Sequence, residues 1–404
     1  MTIRAGASLT DLLDPEILAN PYPLFHRLRN EDPVHWDPYL HAWVVTSYDD
    51  AITVLYGFSA DRTPTPEKLA SIGLADLSPL ADVMVKQMLF MDAPSHTRIR
   101  KLAAYAFTPA RVAVLREHLT QIVETLLDPV ESKGSLDVIA DIGDPLPSRI
   151  NAEMLGVPVE DAPKLKRWSR DFAEMLGNFQ HNYDRTPQVR SSVEEMTEYF
   201  RAAIAETELH PRPGLISSFL EANEDGDTLT KDEMVANLIV TMIGGQETTT
   251  NLIGNGMLTL LLHPVEHRRL RNDRSLLPSA IEEMLRYESP IQQTARIAPE
   301  DQELGGKIIR KGEAVIAVIA AANRDPQRFP EPDVFDIDRR DNRHLAFGWG
   351  AHFCFGAALA RIEAQVAFDS ILDRFPNLHG DLERPQWMST NLGYRGLVSL
   401  PLAV

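Results

Sequence analysis

The chain holds a single thiol, Cys354, and the residues around it suggest a chemical task. They read Phe347-Gly348-Trp349-Gly350-Ala351-His352-Phe353-Cys354-Phe355-Gly356, and a helical run from Ala357 to Arg361 follows. Glycines at this density permit dihedrals closed to other residues and let the backbone approach something flat or bulky. Free N–H groups at a helix start stabilise a thiolate, and a thiolate suits a metal. Zinc would find only His352 beside it, and the plain alternative is an inert thiol packed as a small hydrophobe. A lone cysteine makes no internal disulfide.

Three further groupings deserve a chemical reading. Gly244-Gly245-Gln246-Glu247-Thr248 sets two glycines inside a helical pattern, where each costs about 1 kcal/mol relative to alanine. An acid beside a hydroxyl there is a pair able to relay protons; the bland reading is a kinked helix with satisfied threonines. Glu283 and Arg286 share a helix face, which alone describes many solvated surface pairs worth under about 1 kcal/mol. His96 and Arg100 are spaced i, i+4, so both project from one face and suit the clamping of a carboxylate.

The elements that must position these groups are mostly helical. From about 95 to 262 nearly every run has helical spacing, broken by Gly156-Val157-Pro158, Pro187 and Pro211-Arg212-Pro213-Gly214. Further helices are predicted up to Tyr287 and over about 355–373. Residues to about 60 read as β-rich, with runs Val34-His35-Trp36 and Trp43-Val44-Val45-Thr46 after a short Pro-bounded helix. Residues 63–90 read as a long loop with a helical turn, Ala314 to Ile319 as a buried strand, 323–343 as coil, and the tail from Val398 to Leu402 as a last hairpin. The fold class is therefore mainly α with a minor β region, expected as one domain over 1–404.

Composition narrows the function. Of 404 residues, 44% are hydrophobic and 24% charged, ordinary for a globular protein. The formal charge of −18 opposes nucleic-acid binding, which needs a basic footprint. Between Met234 and Leu262 the one ionisable side chain is Glu247, yet the polar run from Gln246 to Asn251 would strand polar groups in lipid. No leader or anchor is visible in the first twenty residues, so a cytoplasmic location without membrane contact is expected.

The cysteine stretch resembles the haem-binding signature of the cytochrome P450 superfamily, Phe-Gly-x-Gly-x-His-x-Cys-x-Gly, at every fixed position, with Phe355 a departure from the smaller residue usual there. Glu283-Met284-Leu285-Arg286 resembles the family's Glu-x-x-Arg, Gly244 to Thr248 its oxygen-activating segment, and His96 to Arg100 its His-x-x-x-Arg. The resemblance spans nearly the whole chain. It implies a triangular helical prism around a buried haem b, with Cys354 as axial iron ligand and Phe347, Gly348 and Gly356 around it. It also implies close approach of Gly245 to the haem, and propionates bound by His96, Arg100, Arg296 and His344. Glu247 and Thr248 would deliver protons, and Glu283, Arg286 and Arg339 would brace the cysteine loop. By the same resemblance, substrate would meet Ile291, Gln292, Gln293, Thr294, Asn391 and Leu392, whose polar members favour a mid-sized natural product such as a polyketide or macrolide over a plain fatty acid.

The implied activity is a monooxygenase using O2 and electrons from a separate ferredoxin and its reductase, with no fused reductase and a monomeric state. Arg98, Lys101, Arg111 and Arg361 are the candidate docking residues, as a basic patch for an acidic donor. A peroxide-driven peroxygenase and a haem-based sensor are the rival readings; the Glu247–Thr248 pair speaks against both.

Overall fold

Among the helices the longest dictates the rest. The computed structural model describes residues 7–63, 65–71, 75–104, 112, 114–178, 183–222 and 227–404, with side chains throughout except at 66, 68, 175–178 and 183. Helix Lys231–Leu262 is 32 residues long, hence about 48 Å from end to end. Its start is built by a capping box: the Thr230 hydroxyl accepts from Glu233 N–H at 3.2 Å, and the Glu233 carboxylate accepts from Thr230 N–H at 2.8 Å. Pro264 directly after it begins a new helix, Pro264–Asn272.

Apolar residues cover most of this helix rather than one stripe, because neighbours surround it. It packs on Pro145–Leu155, Ala162–Asn178, Thr186–Leu209, Leu277–Tyr287 and Ala357–Arg374. Two helices of the bundle end where the sequence supplies a left-handed residue: Gly134 after Arg116–Lys133 with φ 67°, and Gly156 after Pro145–Leu155 with φ 85°. Among the described residues no helix is long and apolar enough to cross a membrane.

The minor β region is a four-stranded sheet in the order Val34–Asp37, Ala42–Val45, Ala314–Ala317, Thr294–Ile297. The central pair is parallel, with Val44 opposite Ile316, and the outer pairs are antiparallel. In the edge strand Thr294 and Arg296 lie on one face, because side chains alternate.

Three expectations change. The first sixty residues are mixed rather than β-rich: helices Pro15–Ala19, Tyr22–Glu31 and Tyr48–Gly57 outweigh the two strands. Residues 63–90 are largely helical, with Pro66–Ser71 and Ser78–Met84 among them; Pro66 and Pro79 start helices there rather than break them. The tail strand Pro401–Ala403 pairs with the distant Ser135–Asp137, although single bridges also join it and Leu397 to His379 and Trp387.

Candidate active site

Cys354 lies in the turn between Gly350–His352 and helix Ala357–Arg374. Its N–H donates to Phe347 O at 2.8 Å, and Ala357 N–H donates to Cys354 O at 3.4 Å. Gly348 and Gly350 hold φ of 72° and 69°, a region that penalises any other residue. Gly356 has an ordinary φ of −79°; a side chain there would meet Cys354 Sγ at 3.9 Å, so glycine leaves the sulfur uncovered. Phe347 is clasped by the Arg361 guanidinium, 4.4 Å from its ring centre.

The thiol is open to a cleft yet ringed by protein, and burial pushes its pKa up. The N–H groups of Gly356 and Ala357 and the charges of Arg100 and Arg361 oppose this without overcoming it. The N–H groups at the helix start thus favour the thiolate, as the sequence suggests, and burial works against them.

Beside this loop gathers a set of basic side chains. His96 and Arg100 come from one face of Ser95–Ala104, Arg296 from the edge strand, and Arg62 from the segment after Tyr48–Gly57. The His96 ring lies tilted by 36° against His352 with centroids 4.1 Å apart, and Arg100 donates to Phe353 O. Burial lowers each pKa: His352 falls to about 3, helped by His96 and Arg296, while Arg296 falls to about 10 and Arg62 to about 9. Asp92 is the acid that acts on His96, His352 and Arg296, and the Ala60 N–H already binds it at 2.9 Å. His96 Nε2 and Arg296 Nε are buried without a hydrogen-bond partner. Such unsatisfied donors call for an anion the chain does not supply, and a haem with two propionates fits that demand.

His344 does not belong to this set. Its Nε2 meets Glu282 Oε2 at 3.3 Å, and Glu282 also accepts both Nε and Nη2 of Arg361 at 2.7 Å. Burial would raise the Glu282 carboxyl, but bonds from Arg361 and His344 pull it down to about 2, so His344 stays tied there. His352, two residues before the thiol, occupies the place expected of His344.

On the long helix the two adjacent glycines divide their tasks. A Cβ at Gly244 would meet nothing within 4 Å, so Gly244 borders open space in an otherwise buried helix. Gly245 does not approach that space: a Cβ there would lie 2.5 Å from Asn151 Oδ1, whose amide donates to Met242 O at 2.9 Å. The expectation of haem contact thus moves from Gly245 to Gly244. Gly245→Ala should destabilise the protein by about 1–3 kcal/mol through overpacking. Gly244→Ala should leave the melting temperature unchanged or slightly higher, since alanine is the better helix former. Thermal melts of the two variants check both.

Thr248 Oγ1 donates to Gly244 O at 2.7 Å, so the hydroxyl sits beside the opening. Glu247 is buried with Oε1 unpartnered, and burial raises its carboxyl to about 7 against the charges of Arg170 and Lys166.

The expected substrate wall separates into two groups. Ile291, Gln293 and Thr294 are half-buried, and Thr294 Oγ1 accepts from Arg296 at 3.2 Å. The others are structural. Gln292 donates to Ser289 O at 2.7 Å, Asn391 donates to Ala173 O and accepts from Gly393 N–H at 2.7 Å, and Leu392 packs with Leu9, Leu12 and Tyr22. Their polarity satisfies backbone, not ligand. Arg62 and Tyr394, missing from the sequence reading, stand at this site instead: burial raises the Tyr394 hydroxyl, with Glu247 adding and Arg62 opposing.

Glu283 accepts from Arg286 Nε and Nη2 at 2.8 and 2.7 Å, from Arg339 Nε at 3.2 Å, and from Asn342 Nδ2 and Asp336 N–H at 3.0 Å. The described docking candidates differ in their partners. Arg98 pairs with Glu233 and with Asp227 near the start of the long helix, Arg361 is spent on Glu282, Lys101 is exposed, and Arg111 lies outside the described residues.

Comparison with known proteins gives the same picture from outside. Residues 77–398 match the model of the family described as Cytochrome P450. The chain is 40% identical to the "Biotin biosynthesis cytochrome P450" of Bacillus subtilis (strain 168), covering 96% of this chain and 97% of that one. It is 35% identical to the "Polyketide biosynthesis cytochrome P450 PksS" of the same strain, covering 95% and 96%. Among solved structures, P450BioI in complex with hexadec-9Z-enoic acid ligated acyl carrier protein superposes with a TM-score of 0.90 at 38% identity, covering 97% of this chain and 100% of that one.

Proposed function

The chain belongs to the cytochrome P450 family, and from that premise we propose how this monooxygenase uses its own residues and on what. Enzymes of the family carry a haem-thiolate, use O2 and take electrons from a redox partner. We assign haem b, non-covalent, to the Cys354 sulfur, with its propionates against His96, Arg100, Arg296 and His352. The observation that carries this is the set of buried, unpartnered donors at His96 and Arg296 beside the only thiol. When bound, the haem supplies dioxygen activation and oxidation of a C–H or C=C bond, the thiolate donating electron density.

The chain's residues handle protons and position. Per turnover one oxygen atom enters the product and the other leaves as water, which consumes two electrons and two protons. Glu247, with its carboxyl raised to about 7, exchanges protons near neutral pH, and the Thr248 hydroxyl beside Gly244 passes them inward. Gly348 and Gly350 shape the turn that presents the sulfur. Glu283, Arg286 and Arg339 brace it.

The substrate is a mid-sized natural product of the polyketide or macrolide kind, supported by the name of the PksS relative and by half-buried Gln293 and Thr294 at the wall. Electrons come from a ferredoxin and its reductase, with residues 1–404 acting as one haem-binding unit, a monomer in the cytoplasm. Arg98, Lys101, Arg111 and Arg361 are the residues proposed to meet the ferredoxin.

Thr248→Ala tests the relay: product formed per O2 consumed should fall severalfold while haem content stays the same. The pH dependence has a definite sign. Glu247 is protonated below about pH 7 and ionised above it, so coupling should decline as pH rises through that value, and Glu247→Gln should flatten the decline. Oxygen uptake compared with product yield reads both. Unchanged coupling in Thr248→Ala, or equal turnover on peroxide alone without ferredoxin, would instead support a peroxygenase.

A further inference from the structure

One side of the long helix is tied to a single neighbour at three points. Asn151 Nδ2 donates to Met242 O at 2.9 Å, Gln246 Nε2 to Asp144 O at 3.3 Å, and Thr250 Oγ1 to Gly143 O at 2.6 Å. Asn151, Gln246 and Thr250 are all buried. Two glycines let the backbones approach. A Cβ at Gly245 would lie 2.5 Å from Asn151 Oδ1, and one at Gly143 would press on Val138 O at 3.2 Å and meet Thr250 at 3.6 Å. The neighbour is a π-helical turn, Val138–Gly143, running into helix Pro145–Leu155. Asp144 N–H donates to Ile139 O at 2.8 Å, five residues back, and such widened turns often sit at functional sites.

Helical geometry sorts these positions. At about 100° per residue, Met242, Gly245, Gln246 and Thr250 form one side of the helix, and Gly244 and Thr248 lie across the axis from them. Gly244 borders open space and Thr248 Oγ1 donates to Gly244 O, so the tied side is the back of the proton relay. One hydrogen bond would leave the helix free to roll, whereas ties spread over two turns do not. A roll of about 20° would carry the Thr248 hydroxyl sideways by about 1 Å, a misplacement large enough to matter at a reacting group.

We propose that Asn151, Gly143 and Thr250 are positioning residues for the relay: the clamp from 143–151 sets the roll of the long helix, and with it how much of the O2 consumed ends in product. They act through the helix, not on the reacting atoms. This deepens the function above and rests on its relay. O2 that is not converted leaves as hydrogen peroxide, having taken two electrons and two protons, so a loosened clamp is read as peroxide in place of product.

Two measurements on the haem-loaded enzyme test this. The first is thermal. Gly245→Ala should lower the melting temperature in wild type, and by less than half as much in Asn151→Ala, where the atom at 2.5 Å is gone. An undiminished loss overturns the contact and the proposal with it. The second is coupling, with myristate as probe substrate and a surrogate ferredoxin and reductase. Thr250→Val and Asn151→Leu keep side-chain size but remove the donors. Product per O2 should fall by about threefold or more, with peroxide making up the difference and with haem content and myristate affinity unchanged. Thr250→Ser keeps the hydroxyl and should couple as wild type does. If Thr250→Val and Asn151→Leu melt earlier yet stay coupled, the clamp is a structural contact only and the proposal is overturned. Thr248→Ala separates the proposal from its premise. If that variant uncouples while Thr250→Val and Asn151→Leu do not, only the clamp falls; if Thr248→Ala itself stays coupled, the relay reading falls and the clamp has nothing to position.

Discussion

Cys354→Ser should abolish monooxygenase turnover, by a hundredfold or more on an order-of-magnitude basis, while leaving the polypeptide folded. The loop does not depend on the sulfur: it is closed by Cys354 N–H to Phe347 O and by left-handed Gly348 and Gly350, all backbone features. What changes is electronic. A serine hydroxyl remains neutral here, where even the more acidic thiol is pushed up by the surrounding protein. Without an anionic ligand the push that favours O–O cleavage is gone. Two measurements check the expectation: the reduced carbonyl adduct should lose its strongly displaced Soret maximum, and the melting curve of the cofactor-free protein should match wild type. A variant that keeps the displaced band would remove Cys354 from its assigned place.

The second large effect is on stability. Glu283→Gln should cost about 3–5 kcal/mol, because it leaves Arg286 buried and charged without its partner. Both side chains of that pair are 0% exposed, and Glu283 also serves Arg339, Asn342 and the Asp336 N–H. Domains have about 5–15 kcal/mol in total, so poor yield or a melting temperature lower by roughly 4–6 °C is the expected result for a chain of this length. Asp141→Asn, which breaks the exposed pair with Lys133, should change stability by under about 1 kcal/mol. Similar losses in both variants would show that burial at Glu283 is not the cause.

Much of the site is legible in the sequence where residues act within one short segment. The shared helix faces of Glu283 with Arg286 and of His96 with Arg100 follow from local spacing, while their roles and the cysteine turn are carried by the resemblance to the family's motifs. What sequence leaves open depends on orientation. Gly244 and Gly245 are neighbours, yet about 100° of helical rotation separates a residue facing the cleft from one pressed on Asn151. His344 and His352 differ only in which partner reaches them first, and Glu282, some sixty residues earlier, decides it. The available signal was register: His352 occupies a fixed position of the cysteine motif. Gln292 and Asn391 look like ligand-binding residues until the carbonyls of Ser289 and Ala173 are seen to take their amides. Arg62 sits in a stretch rich in turn-forming residues, with nothing local to mark its partners.

The sheet has a consequence for how the protein is made. Its second N-terminal strand, Ala42–Val45, pairs with Ala314–Ala317, so about 270 residues must be synthesised after Val45 before the sheet can close. At about 5–20 residues per second that is a wait of roughly ten to fifty seconds on the ribosome. Throughout it the edge of Ala42–Val45 lies open to wrong partners, a natural place for chaperone engagement and for aggregation under fast expression. Arg296 lies on Thr294–Ile297, which is tied to the N-terminal strands only through the later Ala314–Ala317, so the haem cradle is among the last parts of the molecule to be assembled.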